Sequence, residues 1–184
     1  VERKLSSEDL VICNENEPMC LAGVFGGAKS GITENTKNVF IESAYFNPVT
    51  IRKTARRHGL STDASFRYER GCDPNNTIFV LKFAALTIQE VAGGKIACDI
   101  IDEYPAPIKP AVVDLKFDYI DKLVGQHIDK NDIKTILKGL EMEINNENEE
   151  GLTIEIPTYR VDVTRPADVV EDILRIYGYD KINI

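Results

Sequence analysis

Several absences in the sequence narrow what the chain can be. No apolar run approaches the ~20 residues that a helix needs to cross a membrane. The four cysteines, Cys13, Cys20, Cys72 and Cys98, form no CxxC pair and have no histidine at zinc-finger spacing. At this size a disulfide framework is not needed, and they read as reduced cytosolic thiols. The glycine-rich stretch Gly23–Gly27 is followed by no GK[ST] and lacks the full GxGxxG, so it is no Walker loop or dinucleotide fingerprint. There is no internal repeat. The N-terminus, VERKLSSEDL, has neither an initiating Met nor the charged-then-apolar order of a signal peptide. We therefore expect a chain cut from a longer protein.

What is present is a globular composition. The 184 residues are 43% hydrophobic and 28% charged, which excludes disorder and collagen-like repeats. The length suits one large domain or two small ones. Acids outnumber bases 30 to 22, a net charge of -8. The imbalance is uneven: residues 1–110 hold 13 basic and 14 acidic side chains, residues 111–184 hold 9 and 16. An acidic second half argues against a general nucleic-acid surface there. The first half has one basic cluster, Arg52, Lys53, Arg56, Arg57 and His58. It is either a phosphate-contacting face or a solvated face paired with nearby acids.

Local patterns predict an α+β protein in two domains. Met19–Phe25 reads as a buried strand and Gly26–Gly31 as a turn. Val39–Ile41 reads as a second strand, ending at Glu42. Asn47 followed by Pro48 predicts a helix start, running through Arg57 to a stop at Gly59. Asp73-Pro74 predicts another start, with Ile78, Leu81, Ala85, Ile88 and Val91 at helical spacing. Lys95–Tyr104 reads as a strand. Pro105, Pro107 and Pro110 mark a linker at 105–110 between a domain over 1–104 and one over 111–184. The second domain predicts strand Val112–Leu115, helix Tyr119–Val124 and a helix capped by Asp129. Strands Glu141–Asn145 and Leu152–Ile156 follow, joined by the Asn146–Gly151 turn. A last helix opens at Pro166.

Several groups invite chemistry. Gly23-Val24-Phe25-Gly26-Gly27 is either a turn needing positive φ or a place where backbone amides approach a ligand. Glu42 closes an apolar strand, where a carboxylate is costly to bury without a polar partner. The run His58–Ser65 reads as a pocket of small hydroxyl residues or as a loop with surface ion pairs. His58 suits a helix C-terminus better than a catalytic base. Asp162, Asp168, Glu171 and Asp172 surround the start of the last helix. They either offset its dipole or offer oxygen ligands to magnesium. Glu171 and Asp172 diverge by ~100° on a helix, so both cannot ligate one ion without help from another chain or from water.

The stretch from Gly23 to Pro74, GVFGGAKSGITENTKNVFIESAYFNPVTIRKTARRHGLSTDASFRYERGCDP, strongly resembles the B3/B4 editing domain of bacterial phenylalanyl-tRNA synthetase beta subunits. PTYRVDVTRPADVVEDILRIYGYDKI, from Pro157 to Ile182, resembles the B5 domain of the same subunits, a winged-helix-like fold. The resemblance implies part of an ATP-using ligase of two alpha and two beta subunits, cytoplasmic, acting on tRNA(Phe). Aminoacylation belongs to the alpha subunit, so ATP is used by the holoenzyme and not bound here. The beta subunit hydrolyses tyrosine wrongly joined to tRNA(Phe). Such editing is needed because an apolar pocket rejects an added hydroxyl by only ~10²-fold.

By match to the family motif, Glu42 reads the tyrosine hydroxyl. Gly23 and Gly26 line the editing pocket, and Thr62 and Ala64 form its small wall positions. No residue matches as a catalytic base: water attack rests on positioning and on stabilising the developing oxyanion. Asp162, Asp168, Glu171 and Asp172 match the magnesium positions shared with the alpha subunit, the last being Asp where Glu is usual. Arg52, Lys53, Arg56 and Arg57 are candidate tRNA contacts. In the family the editing domain begins upstream of Val1 and draws pocket His and Arg residues from there, so the fragment alone is expected not to edit. A non-catalytic module that binds nucleic acid or a subunit is the alternative.

Overall fold

The computed structural model describes residues 1–182. It separates into two compact units, Val1–Pro105 and a second from Ala106 onward. Both mix helices with one small antiparallel sheet, so the class is α+β. Among the described residues no helix is long and apolar enough to cross a membrane.

The first unit begins with strands β1 (Val11–Cys13), β2 (Pro18–Leu21) and β3 (Phe25–Gly26), with β2 in the centre. The strand expected over Met19–Phe25 is broken in its middle. Gly23 adopts φ +65, and the Val24 amide donates back to the Leu21 carbonyl at 3.0 Å, making a hairpin turn. Helix α1 (Pro48–His58) starts as expected: the Asn47 side chain accepts from the Val49 and Thr50 amides. It stops at Gly59, which takes the left-handed conformation that only glycine enters without strain.

Helix α2 (Asp63–Tyr68) was not anticipated. Thr62 and Ser65 exchange side-chain and backbone hydrogen bonds in a capping box, but Ser replaces the Glu or Gln by which that motif is read. After a 3-10 turn at Pro74–Asn76, α3 runs over Thr77–Ala92. The core of this unit is small: Leu21, Val24, Ile51 and Ala55, with Val11, Phe46, Leu60 and Tyr68 packed against it. α3 contributes no buried residue, and Phe79 and Phe83 are 68% and 65% exposed.

Two expected strands are absent. Val39–Ile41 and Lys95–Tyr104 have the composition for it but form no sheet. A strand needs a neighbour for its amides and carbonyls. Among the described residues none pairs with either segment, and Phe40, Ile96 and Ile101 stand exposed.

In the second unit β4 (Ala111–Lys116) and β5 (Glu143–Glu147) flank β6 (Gly151–Ile156). Helix α4 (Phe117–Val124) follows β4 directly, two residues earlier than expected, and α5 (Lys130–Gly139) carries the Asp129 cap. β5 begins two residues later than expected because Glu141 takes φ +59 in the turn after α5. α6 (Pro166–Tyr177) closes the unit. Val113 and Leu115 of β4, Ile154 and Ile156 of β6, Ile133 and Leu137 of α5, and Val169 and Ile173 of α6 all face one core. The alternation along β4 and the helical spacing along α6 meet there.

An ion cluster ties the N-terminal segment to the end of α1. Asp9 accepts from His58 Nε2 at 2.7 Å, from the Ser6 amide at 2.8 Å and from Arg57, which also binds Glu8. The Asp9 side chain has no accessible surface. Burial would raise its carboxyl; the Ser6 amide, His58 and Arg57 outweigh that and bring it from 3.8 to about 2. Its folded-state value is depressed, so its contribution to stability is complete above pH 3.8 and is lost as pH falls towards about 2. Acid titration of stability is expected to show a steep loss in that window. Asp9→Asn should lower stability at neutral pH and flatten the loss, as followed by circular dichroism.

Candidate functional site

The expected pocket residues of the first unit converge only in part. Gly23 lies under an aromatic pair: a Cβ placed there would sit 2.9 Å from Phe46 Cδ2, 3.0 Å from Ile51 Cδ1 and 3.2 Å from Tyr68 Cδ2. The Phe46 and Tyr68 rings are 5.0 Å apart and tilted by 57°, a favourable aromatic geometry. Gly23 thus both turns the chain and leaves room for these rings. Thr62 is locked in place. Its hydroxyl donates to the Val24 carbonyl at 2.7 Å and accepts from the Ser65 amide at 3.0 Å. It joins the β2–β3 turn to α2. Ala64, the second residue of α2, is exposed.

Gly26 lies across the hairpin from Cys20. Directly opposed residues share a face of the sheet, and a Cβ at Gly26 would meet nothing within 4 Å. That face is therefore open beside Cys20. Both residues border a cavity of about 550 Å³, lined also by Leu5, Met19, Phe25 and Leu60. Glu42, Thr62 and Ala64 are not on its wall.

Glu42 acts on the same neighbourhood. As a residue it is solvent-accessible, but the protein around its carboxyl desolvates it enough to raise its pKa above the ordinary 4.5. Burial raises the Cys20 thiol and the Tyr68 phenol, and the charge of Glu42 pushes both further up. Cys20 and Tyr68 therefore both feel the charge of Glu42. Among the described residues no side chain or amide pairs with the Glu42 carboxylate. It is an acceptor without a donor, on a segment with no sheet to hold it.

In the second unit the four acids expected to hold magnesium are engaged by arginines. The Arg160 guanidinium binds Asp162 at 3.1 Å and Asp172 at 2.7 Å. Asp168 is a helix cap: it accepts from the Thr164 and Arg165 amides at 3.1 and 2.9 Å and pairs with Arg165. Those contacts, the Arg165 side chain first, bring its carboxyl to about 2. Glu171 pairs with Arg175 at 2.7 Å. Among the described residues no three His, Cys, Asp or Glu side chains gather as a metal site. Within this chain the four carboxylates do not converge on one point; Arg160 lies between Asp162 and Asp172 and pairs with both.

Of the basic cluster, Arg52 donates to the Glu69 carbonyl and Arg57 is held by Glu8 and Asp9. Lys53 and Arg56 are exposed on α1 and have no ion-pair partner among the described residues.

Comparison with known proteins agrees with these two units. The B3/4 domain model matches residues 1–93, and the tRNA synthetase B5 domain model matches residues 113–179. Over 184 residues the chain is 56% identical to a phenylalanine–tRNA ligase beta subunit of Bacteroides fragilis and 57% to that of Bacteroides thetaiotaomicron. Over 185 aligned residues it is 49% identical to that of Porphyromonas gingivalis. All of this chain is covered in each case, but only 22% of each relative. The chain belongs to the phenylalanine–tRNA ligase beta-subunit family, of which it carries the B3/4 and B5 domains.

Proposed function

We propose that the first unit supplies the hydroxyl-reading part of an editing site that hydrolyses tyrosine from mischarged tRNA(Phe). The supporting observation is Glu42: a desolvated, unpaired carboxylate whose charge is felt by Cys20, the residue opposite the open face at Gly26. Such a group gains a partner from the tyrosine hydroxyl and none from phenylalanine, so it favours removal of the wrong amino acid. No side chain here is assigned as a base. Catalysis rests on holding a water against the ester and on donors to the oxyanion. Gly23 and Thr62 build the turn and the helix start around this place, and Gly26 keeps it open. Ala64 takes its pocket role from the family motif alone.

The rest of the reading follows the family. The second unit scaffolds an assembly of two alpha and two beta subunits in the cytoplasm. The alpha subunit carries ATP-dependent aminoacylation. Lys53 and Arg56 are the members of the basic cluster free to meet tRNA phosphates. A shared magnesium at the second unit would require the Arg160 pairs to open first.

The test is release of tyrosine from preformed Tyr-tRNA(Phe) by the assembled alpha–beta ligase carrying these residues, with and without Glu42→Ala. The mutant is expected to lose about 10–100-fold in release, the scale of an unmade hydrogen bond to a charged group, while charging with phenylalanine persists. Equal release by both would return Glu42 to a structural role.

A further inference from the structure

The carboxylate proposed to read the hydroxyl sits on a segment with no regular structure. Among the described residues, no backbone–backbone hydrogen bond fixes residues 37–46. A recognition group must nevertheless be held to within a fraction of an ångström of its productive position. Two side chains near Glu42 supply that restraint. Phe46 is seated against Tyr68 in the space left by Gly23. Ser43, immediately after Glu42, donates its hydroxyl to the Thr77 carbonyl at 2.8 Å. Thr77 is the first residue of α3 and lies 34 positions further on.

Resting on the reading of Glu42 above, we infer that Ser43 is a positioning residue for it, pinning the unpaired segment to the first turn of α3 so that the neighbouring carboxylate keeps its place. Phe46 anchors the segment three residues further along. With the serine bond gone, the chain between Asn38 and Phe46 is held at one end only, and Glu42 samples positions from which it cannot meet a tyrosine hydroxyl. Ser43 touches no substrate, and its effect passes wholly through Glu42. It should therefore alter discrimination between tyrosine and phenylalanine rather than the intrinsic reactivity of the ester.

The experiment uses the assembled ligase and reads the ratio of deacylation rates on Tyr-tRNA(Phe) and Phe-tRNA(Phe). Wild type, Ser43→Ala, Ser43→Thr and Glu42→Ala are compared. Ser43→Ala is expected to lower the ratio about tenfold, the scale of one lost hydrogen bond. Ser43→Thr, which keeps the hydroxyl, should restore most of it, with thermal stability and phenylalanine charging unchanged. A variant that merely loosened the fold would slow both substrates alike and leave the ratio intact; that result overturns the inference. So does an unchanged Ser43→Ala beside a collapsed Glu42→Ala, which leaves the Glu42 reading standing. An unchanged Glu42→Ala removes both. Should Ser43→Ala not fold, Ser43→Cys, a near-isosteric weak donor, is read on the same scale.

Discussion

Gly23→Ala is expected to destabilise the first unit by roughly 2–5 kcal/mol. Two costs add. A non-glycine residue at φ +65 costs about 1–2 kcal/mol. The added methyl would lie 2.9 to 3.2 Å from Phe46, Ile51 and Tyr68, and overpacking of that kind costs about 1–3 kcal/mol more. Ile51 is wholly buried in a core of four residues, so little surrounds it that can yield. Amide hydrogen exchange should show α1 and α2 losing protection together while β4, β6 and α6 keep theirs. Protection of α1 equal to that of wild type would mean that neither the turn nor the aromatic pair requires glycine at this position.

Arg160→Leu is expected to cost the second unit roughly 3 kcal/mol. Asp172 is only 8% exposed in its side chain and pairs with Arg160 at 2.7 Å. Arg160 itself keeps 18% exposure and also holds Asp162, whose carboxyl its hydrogen bond lowers below the ordinary 3.8. Removing one partner of a buried pair strands the other, which costs about 3–5 kcal/mol; the residual exposure of Arg160 places this case at the lower end. The double variant Arg160→Leu, Asp172→Leu should regain most of the loss, since replacing a whole buried pair by apolar groups is close to neutral. Urea unfolding of the single and double variants separates the outcomes. A double variant no more stable than Arg160→Leu would place the cost in lost packing of the arginine stem instead.

These two cases also show where sequence reading stops. α1, α5 and α6 were legible because their start signals and helical spacing are local: Asn47-Pro48, Asp129 and Pro166 carry the signal within a few residues. The strands expected at Val39–Ile41 and Lys95–Tyr104 were not, because a strand is completed by a neighbour that its own composition does not specify. α2 escaped because Ser65 does the work usually done by Glu. At the site, the type and place of Glu42 drew attention from the sequence. Its desolvation, the opposition of Cys20 and Gly26, and the bond from Ser43 to Thr77 depend on residues far apart in the chain. The acids around the start of α6 suggested a cation, and the group that meets two of them, Asp162 and Asp172, is the guanidinium of Arg160.

The exposed apolar side chains of α3 have a colloidal consequence. Phe79, Phe83 and Leu86 present a sticky strip to solvent, on a particle whose charge of -8 keeps its copies apart. Salt acts on these two forces in opposite senses. It shortens the repulsion to ~8 Å at physiological strength, and sulfate or phosphate strengthens apolar attraction. Dilute buffers of low ionic strength are therefore the conditions in which this chain stays dispersed, and sulfate is the salt that drives it out of solution.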